Sequence, residues 1–386
     1  MRVSTPRMGN LPLIVEDLAC RFGIDYIEPP VFSEETVRIG ASLAPEFACL
    51  PLKAVVGTFV QALEAGADTL LMGGGSGPCR FGYYAEIQRR ILEKEGYRFK
   101  LIILDPPSTS LKAAYSGLRS IVPPDVARFG TLVRELRRAL AKVVVFDEIE
   151  KWGLALKGRE AEPGSVERAA EEACSVTAAA FTGKEIRRAR REVQQLFENV
   201  GLDDDRQCLR IGVVGEIFVV LEPYFNFDIG NWLGKRGVVV ERSVHIADTA
   251  YPGGRNPVFG YDERQVARAA APYLTHEVGG DGLLSVGATA IFARRGFDAV
   301  IHFLPFTCMP EVIAKSVLAR VSEEMGIPVL SLTIDEQTGR AGVETRLEAL
   351  LDLARSKRRR ETIPLEGRFS TSPTGDLSLR GGSQPP

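Results

Sequence analysis

The sequence predicts an α/β protein built from two open, doubly wound (Rossmann- or flavodoxin-like) parallel sheets with a helical insert between them. Short β-rich runs alternate with amphipathic stretches in residues 1–122 and again in 206–356. That order builds βα units and mainly parallel sheets. Between them, over 123–205, the strand signal fades and long charged helical patterns take over. Residues 357–386 are basic, then rich in Gly, Ser and Pro without usable periodicity, and are expected to form a disordered tail.

In the first unit, strands are expected at 24–28 (IDYIE), 68–72 (DTLLM) and 99–105 (FKLIILD), with helices over 52–66 and 83–96. The opening MRVSTPRMGN reads as a polar lead-in to an amphipathic segment and lacks the apolar core of a signal peptide. In the insert, 124–157 and 164–201 read as helical, with Ser165 as an N-cap. Arg187, Arg188, Arg190 and Arg191 read as a solvated helix face, because no stacking aromatics are interleaved with them. In the second unit, strands are expected at 209–216, 237–244, 298–305 and 327–335, and helices near 224–237, 262–274, 310–326 and 342–356.

With 386 residues, 45% of them hydrophobic and 25% charged, the chain can bury a large core. A formal net charge of −2 gives no protein-wide field for nucleic acid or a membrane surface. No run approaches the roughly 20 apolar residues of a membrane helix. The expected compartment is the cytoplasm. In that reducing setting the six cysteines are buried fillers or soft ligands rather than disulfides. Cys20, Cys174 and Cys208 lie in helix- or strand-like patterns and read as fillers. Cys49, Cys79 and Cys308 each stand beside proline in a loop (CLP, GPC, CMP).

The loop 73-GGGSGPCRFGYY-84 follows a strand, as phosphate-binding loops do. It lacks the Lys-Ser/Thr of a P-loop, and Pro78 breaks a dinucleotide fingerprint. Anion binding by its amides and Arg80 stays open. Three loop thiols also suit zinc or an iron–sulfur cluster. Paired C-x₂₋₄-C spacings of structural zinc are absent, and widely separated single cysteines suit a cluster wedged between domains. The two α/β units share a weak symmetry, each with a strand ending in a loop that carries a cysteine beside proline. Ligands gather outside the carboxyl ends of such strands, so Cys79 and Cys308 are expected to face each other, with Cys49 nearby. The glycines around Cys79 are expected to clear space for the cluster.

The segment 49-CLPLKAVVGTFVQALEAGADTLLMGGGSGPCRFGYYAEIQRRIL-92 resembles the activase-related branch of the 2-hydroxyacyl-CoA dehydratase and benzoyl-CoA reductase superfamily. Further matching stretches are 215-GEIFVVLEPYFNFDIGNWLGKRG-237, 301-IHFLPFTCMPE-311 and 327-IPVLSLTIDEQTGRAGVETRLEALLD-352. Together they span most of residues 1–355. The resemblance implies α/β domains with a helical part and a [4Fe-4S] cluster held by Cys49, Cys79 and Cys308; related members hold a double cubane. It also implies low-potential electrons from a separate activator ATPase and reductive chemistry, in anaerobic metabolism, on an acyl-CoA or small substrate. A homodimer, or a heterodimer with a related subunit, is expected. The chain has no activator-type phosphate loop, so it reads as the cluster carrier rather than the motor. The alternative is a non-catalytic iron–sulfur relay or assembly partner of such a system. No CoA-binding or acid/base residue maps from the resemblance.

Other residues are read beside these. Arg80 is a candidate counter-charge, and Lys53 is either another or a helix-face lysine. Glu216 stands at a strand's carboxyl end, where ligands bind. Tyr83 and Tyr84 begin a helix, with packing the better reading for at least one. Asn226 reads as a cap, and His302 as a satisfied core histidine. His245 and His276 show no partner pattern. Glu344, Thr345 and Arg346 read as capping and ion-pairing residues of the last helix.

Overall fold

A computed structural model of the 386-residue chain describes residues 1–75, 78–105, 111–123, 128–250 and 257–362. The first unit contains β1 (Arg2–Ser4), α1 (Leu11–Phe22), β2 (Asp25–Tyr26), α2 (Glu34–Leu43), α3 (Leu50–Glu64), β3 (Thr69–Gly73), α4 (Tyr84–Lys94), β4 (Lys100–Leu104) and α5 (Leu111–Arg119). The helical part contains α6 (Phe129–Leu156), α7 (Ser165–Ala179) and α8 (Gly183–Glu198). The second unit begins with β5 (Leu209–Gly215), α9 (Ile217–Leu221), α10 (Pro223–Asn226), α11 (Ile229–Gly234), β6 (Val238–Arg242), α12 (Ile246–Ala250) and α13 (Glu263–Ala270). It ends with α14 (Gly282–Arg294), β7 (Ala299–Pro305), α15 (Met309–Met325), β8 (Val329–Ile334) and α16 (Arg340–Thr362).

Among the described residues two four-stranded sheets result, in the orders β2-β1-β3-β4 and β6-β5-β7-β8, and all their pairings are parallel. Counted within its own unit, each sheet has the same order. Each therefore reverses direction between its first and third strands, where open α/β sheets form their ligand crevice. β7 (AVIHFLP) is buried at every position, as a central parallel strand should be. One apolar cluster runs through both sheets. Phe32 of the first unit meets Phe218 and Phe225 of the second, with ring centroids 5.7 and 4.9 Å apart.

α2 delivers α3, and with it Cys49, through a close backbone approach. A Cβ on Gly40 would lie 1.8 Å from the Lys53 carbonyl oxygen, and one on Gly57 would lie 1.9 Å from that of Thr36. Ser33 caps α2 by accepting the Thr36 N–H at 3.2 Å. In the helical part, Val145, Phe146 and Ile149 of α6 pack on α7 and α8. A capping box of Thr182 and Glu185 starts α8.

Several expectations change. The polar lead-in contains β1, an inner strand of the first sheet, too short to display a period. α14 was not expected because it is buried nearly all round and so has no amphipathic stripe. α7 is capped at Gly164, and Ser165 is its first residue; the Glu160 carboxylate accepts the Val166 N–H at 3.2 Å. Cys20 is exposed, and Cys174 and Cys208 are only partly buried, so none is a fully buried filler. α16 continues through Thr362, making 357–362 helical; the rest of the expected tail lies outside the described residues. Among the described residues, no helix is long and apolar enough to cross a membrane.

Candidate metal centre

β3 and β7 are equivalent strands, and each feeds a segment carrying a cysteine, Cys79 and Cys308 respectively. Cys49, Cys79 and Cys308 all stand at N-cap positions, before α3, the 3₁₀ turn Arg80–Tyr83 and α15. In Cys49-Leu50-Pro51 and Cys308-Met309-Pro310, proline occupies the first helical turn. There its missing N–H costs nothing and its fixed φ starts the helix. The cysteines before it are extended, with ψ 155° and 103°. A sulfur at such a terminus lies at the positive end of the helix dipole.

The three thiols share one locality. Arg80, next to Cys79, is hydrogen-bonded to the carbonyl of Thr307, next to Cys308. A Cβ on Gly280 would lie 3.8 Å from Cys79 Sγ and 3.3 Å from Pro310, and Tyr84 of the same segment as Cys79 reaches Cys49. Cys49 and Cys308 are each 7% exposed, and Cys79 is partly exposed. Burial pushes the Cys49 thiol up to about 11, the Cys79 thiol upward, and the Cys308 thiol far upward. The amides of Leu52, Phe81 and Glu311 oppose this at Cys49, Cys79 and Cys308 respectively, though none closes a side-chain cap. All three are therefore neutral thiols at pH 7 in the protein alone. The Tyr84 hydroxyl is hydrogen-bonded to Cys49 Sγ. Tyr84 is buried while Tyr83 is 72% exposed, so it is Tyr84 that belongs to the site.

Arg80 ties the cysteine segments together. Its Nη1 donates to the Phe47 carbonyl at 3.2 Å, and its Nη2 donates to the Thr307 carbonyl and to Thr307 Oγ1, the latter at 3.3 Å. Thr307 Oγ1 in turn donates to the Phe47 carbonyl at 3.2 Å. Thr307 has φ 64°, a left-handed conformation that a β-branched residue holds only where its surroundings over-determine it. The Arg80 charge also favours the thiolate at Cys49 and Cys79.

The glycines do not act as expected. A Cβ on Gly74 would lie 2.0 Å from Asp105 Oδ1, and one on Gly75 2.7 Å from Phe81, so these two make room for those side chains. Gly77 lies outside the described residues. The glycines that meet the cysteines are Gly279 and Gly280, with φ 81° and 49°. A Cβ there would lie 2.7 Å from the Cys79 nitrogen and 3.8 Å from Cys79 Sγ respectively. The turn signal 279-GGDG-282 was present in the sequence, but nothing local linked it to Cys79.

Carboxylates line the same ground. Glu216, after β5, accepts the Val219 N–H at 3.1 Å, and Asp281 accepts the Ile217 N–H at 3.0 Å. Glu311 is fully buried; Oε2 pairs with His302 Nε2 at 2.8 Å, and Oε1 is a buried oxygen with no hydrogen-bond partner. His302 Nδ1 lies 3.0 Å from Ser331 Oγ, so this histidine is a satisfied core residue. Burial, with repulsion from Asp281, pushes Glu216 up to about 8. Burial, with repulsion from Glu311, pushes Asp281 up to about 7. A negative charge at Glu216 also bears on all three cysteines. Asp281 and Glu311 were not singled out from the sequence.

The remaining candidates are structural. Lys53 is buried and pairs with Glu336 at 2.7 Å. Asn226 donates to the Val219 and Val220 carbonyls at 3.1 and 2.9 Å and accepts the Ile229 N–H at 3.4 Å. His245 pairs with Asp248 at 3.1 Å, and His276 meets its neighbour Thr275 at 2.7 Å. Glu344 pairs with Arg340, and Thr345 bonds the Ala341 carbonyl.

Among the described residues, no three His, Cys, Asp or Glu side chains gather closely enough to hold a single metal ion. A cubane takes its thiolates on different irons and needs a wider spread. Soft thiol donors at helix N-termini are the chemistry such a group takes. No protein-family model matches this chain, and no curated protein does.

Proposed function

We propose that this chain is an iron–sulfur protein of the 2-hydroxyacyl-CoA dehydratase type, with Cys49, Cys79 and Cys308 as ligands of a [4Fe-4S] cluster. The observation that carries the reading is the shared locality of three N-capping cysteines from distant segments, tied together by Arg80. When bound, the cluster supplies single electrons at low potential, received from a separate activator ATPase. The chain's own residues would hold it with three thiolates, from Cys49, Cys79 and Cys308, and would leave one of its four irons without a protein ligand. Arg80 offsets negative charge at Cys49 and Cys79. Glu216 carries a proton at neutral pH beside the cysteines and is the candidate acid for an acyl-CoA or other small substrate. A simple electron relay would need no such acid, which favours an enzyme over a relay.

The test is anaerobic reconstitution with iron and sulfide, followed by low-temperature EPR with and without an activator ATPase and ATP. A signal that changes on adding a 2-hydroxyacyl-CoA supports the enzyme, and one indifferent to substrates supports the relay. Protein that retains zinc and no iron overturns both.

A further inference from the structure

The helical part carries a separate cationic cavity. It lies between α1, α6 and the start of α8, measures about 500 Å³, and is lined by Arg21, Arg134, Arg137, Arg138 and Arg187 with one acid, Glu135. Partly buried Asp17 and buried Glu135 are shared among several cations. Arg138 donates from Nε to Glu135 at 2.9 Å and from Nη2 to Asp17, and Lys142 donates to Asp17 at 2.8 Å. Arg134 Nε donates to Glu135 at 2.9 Å, and Arg21 Nη1 lies 3.2 Å from Glu135. Glu185 also feels the Arg21 charge, but it is exposed and committed to capping α8. Six cations thus stand against three carboxylates.

The hydrogen-bond inventory is incomplete in the same place. Arg138 is 7% exposed, yet its Nη1 is buried with no hydrogen-bond partner; Arg21 Nη2 is likewise without one, and Arg21 Nε has only the carboxylate of Asp17, 3.8 Å away. Native proteins seldom leave such donors unmet, above all on charged groups. The N-terminus of the 16-residue α8 opens on the cavity through Thr182 and Gly183, adding a positive helix end. The rest of the wall is apolar, including Phe181 and Ile186.

We propose that this cavity binds a small organic phosphate. Its phosphate group would meet the guanidinium groups that line the cavity, those of Arg21, Arg137, Arg138 and Arg187, and its apolar or aromatic part would lie on Phe181 and Ile186. Phosphate fits better than carboxylate because several arginines converge and each can use a separate oxygen. The arginines of α8 are thus not all plain solvated surface, since Arg187 belongs to this wall.

The experiment is isothermal titration of the full chain with phenyl phosphate and with inorganic phosphate at low salt. Saturable binding is expected, tighter for phenyl phosphate and weakening as salt rises. Arg21→Lys keeps a charge near Glu135 but removes the fork, and should weaken phenyl phosphate about tenfold. Arg187→Gln and Arg137→Gln, at exposed positions where folding is not at stake, should each weaken it about threefold. No saturable binding to the wild-type chain overturns the proposal. So does wild-type affinity in both exposed variants, while equal affinity for the two probes overturns the role given to the apolar wall.

Discussion

Arg80 and Thr307 join the two halves of the candidate centre. The guanidinium that follows Cys79 is hydrogen-bonded to the carbonyl of the residue that precedes Cys308, 227 positions away. Arg80→Gln should therefore loosen the Thr307 turn more than it lowers global stability. The arginine is exposed, so the stability loss should be about 1 kcal/mol or less. Hydrogen exchange at Phe306–Glu311 should accelerate while the strands of both sheets stay protected, and unchanged exchange there would remove Arg80 from the clasp.

Single cysteine substitutions separate ligands from bystanders. After anaerobic reconstitution, Cys49→Ala, Cys79→Ala and Cys308→Ala should each lose most bound iron, measured by elemental analysis. Cys20→Ala, Cys174→Ala and Cys208→Ala should retain it, since none of these shares the locality of the trio. Iron loss in the second group with retention in the first would refute the ligand assignment.

The acids predict a pH dependence of the protein without iron. Burial pushes Glu216 to about 8, and Asp281 and Asp147 to about 7, above the ordinary carboxyl range. The folded state thus holds protons that the unfolded state has released, so the stability these acids contribute is fully present below about pH 4 and is lost as pH rises through 7 to 8. Each group contributes about 1.4 kcal/mol for every pH unit between its two pKa values, as an upper bound. Thermal unfolding at pH 5.5 and 8 should show the lower midpoint at pH 8. Asp147→Asn should reduce that difference, because Asp147 is buried away from the cysteines, where it accepts the Ala247 N–H at 2.6 Å.

The crossing of α2 and α3 should tolerate no side chain. Gly57→Ala would force its Cβ against the Thr36 carbonyl, and Gly40→Ala would do the same against Lys53. Each should destabilise by about 1–3 kcal/mol, read as a lower urea midpoint. A neutral result at either position would mean that the helices separate freely.

Tyr84→Phe removes the hydroxyl bonded to Cys49 Sγ while keeping the ring that packs on Phe81, with centroids 5.4 Å apart. The expected loss is about 1 kcal/mol. A loss several times larger would show that the ring itself has moved.

Much of the architecture was legible in local pattern. The alternation of β-rich and amphipathic runs marks β3 to β8, and the Cys-X-Pro sequences mark the starts of α3 and α15, because proline in a first helical turn is a local constraint. Separating Cys49, Cys79 and Cys308 from the other cysteines also needed only their neighbours in sequence. Other features depended on distant partners. β1 is three residues long and becomes a strand because β2 and β3 flank it. Gly279 and Gly280 matter through Cys79, and Asp281 and Glu311 through Glu216 and each other. Parallel pairing brings together segments separated by whole helices, and neither periodicity nor capping encodes which carboxylate will be buried beside which thiol. The sequence by itself determined most of the elements and set Cys49, Cys79 and Cys308 apart by their neighbours; the tertiary structure decided the short strand β1, the buried helix α14, the Arg80–Thr307 clasp and which carboxylates are buried beside one another.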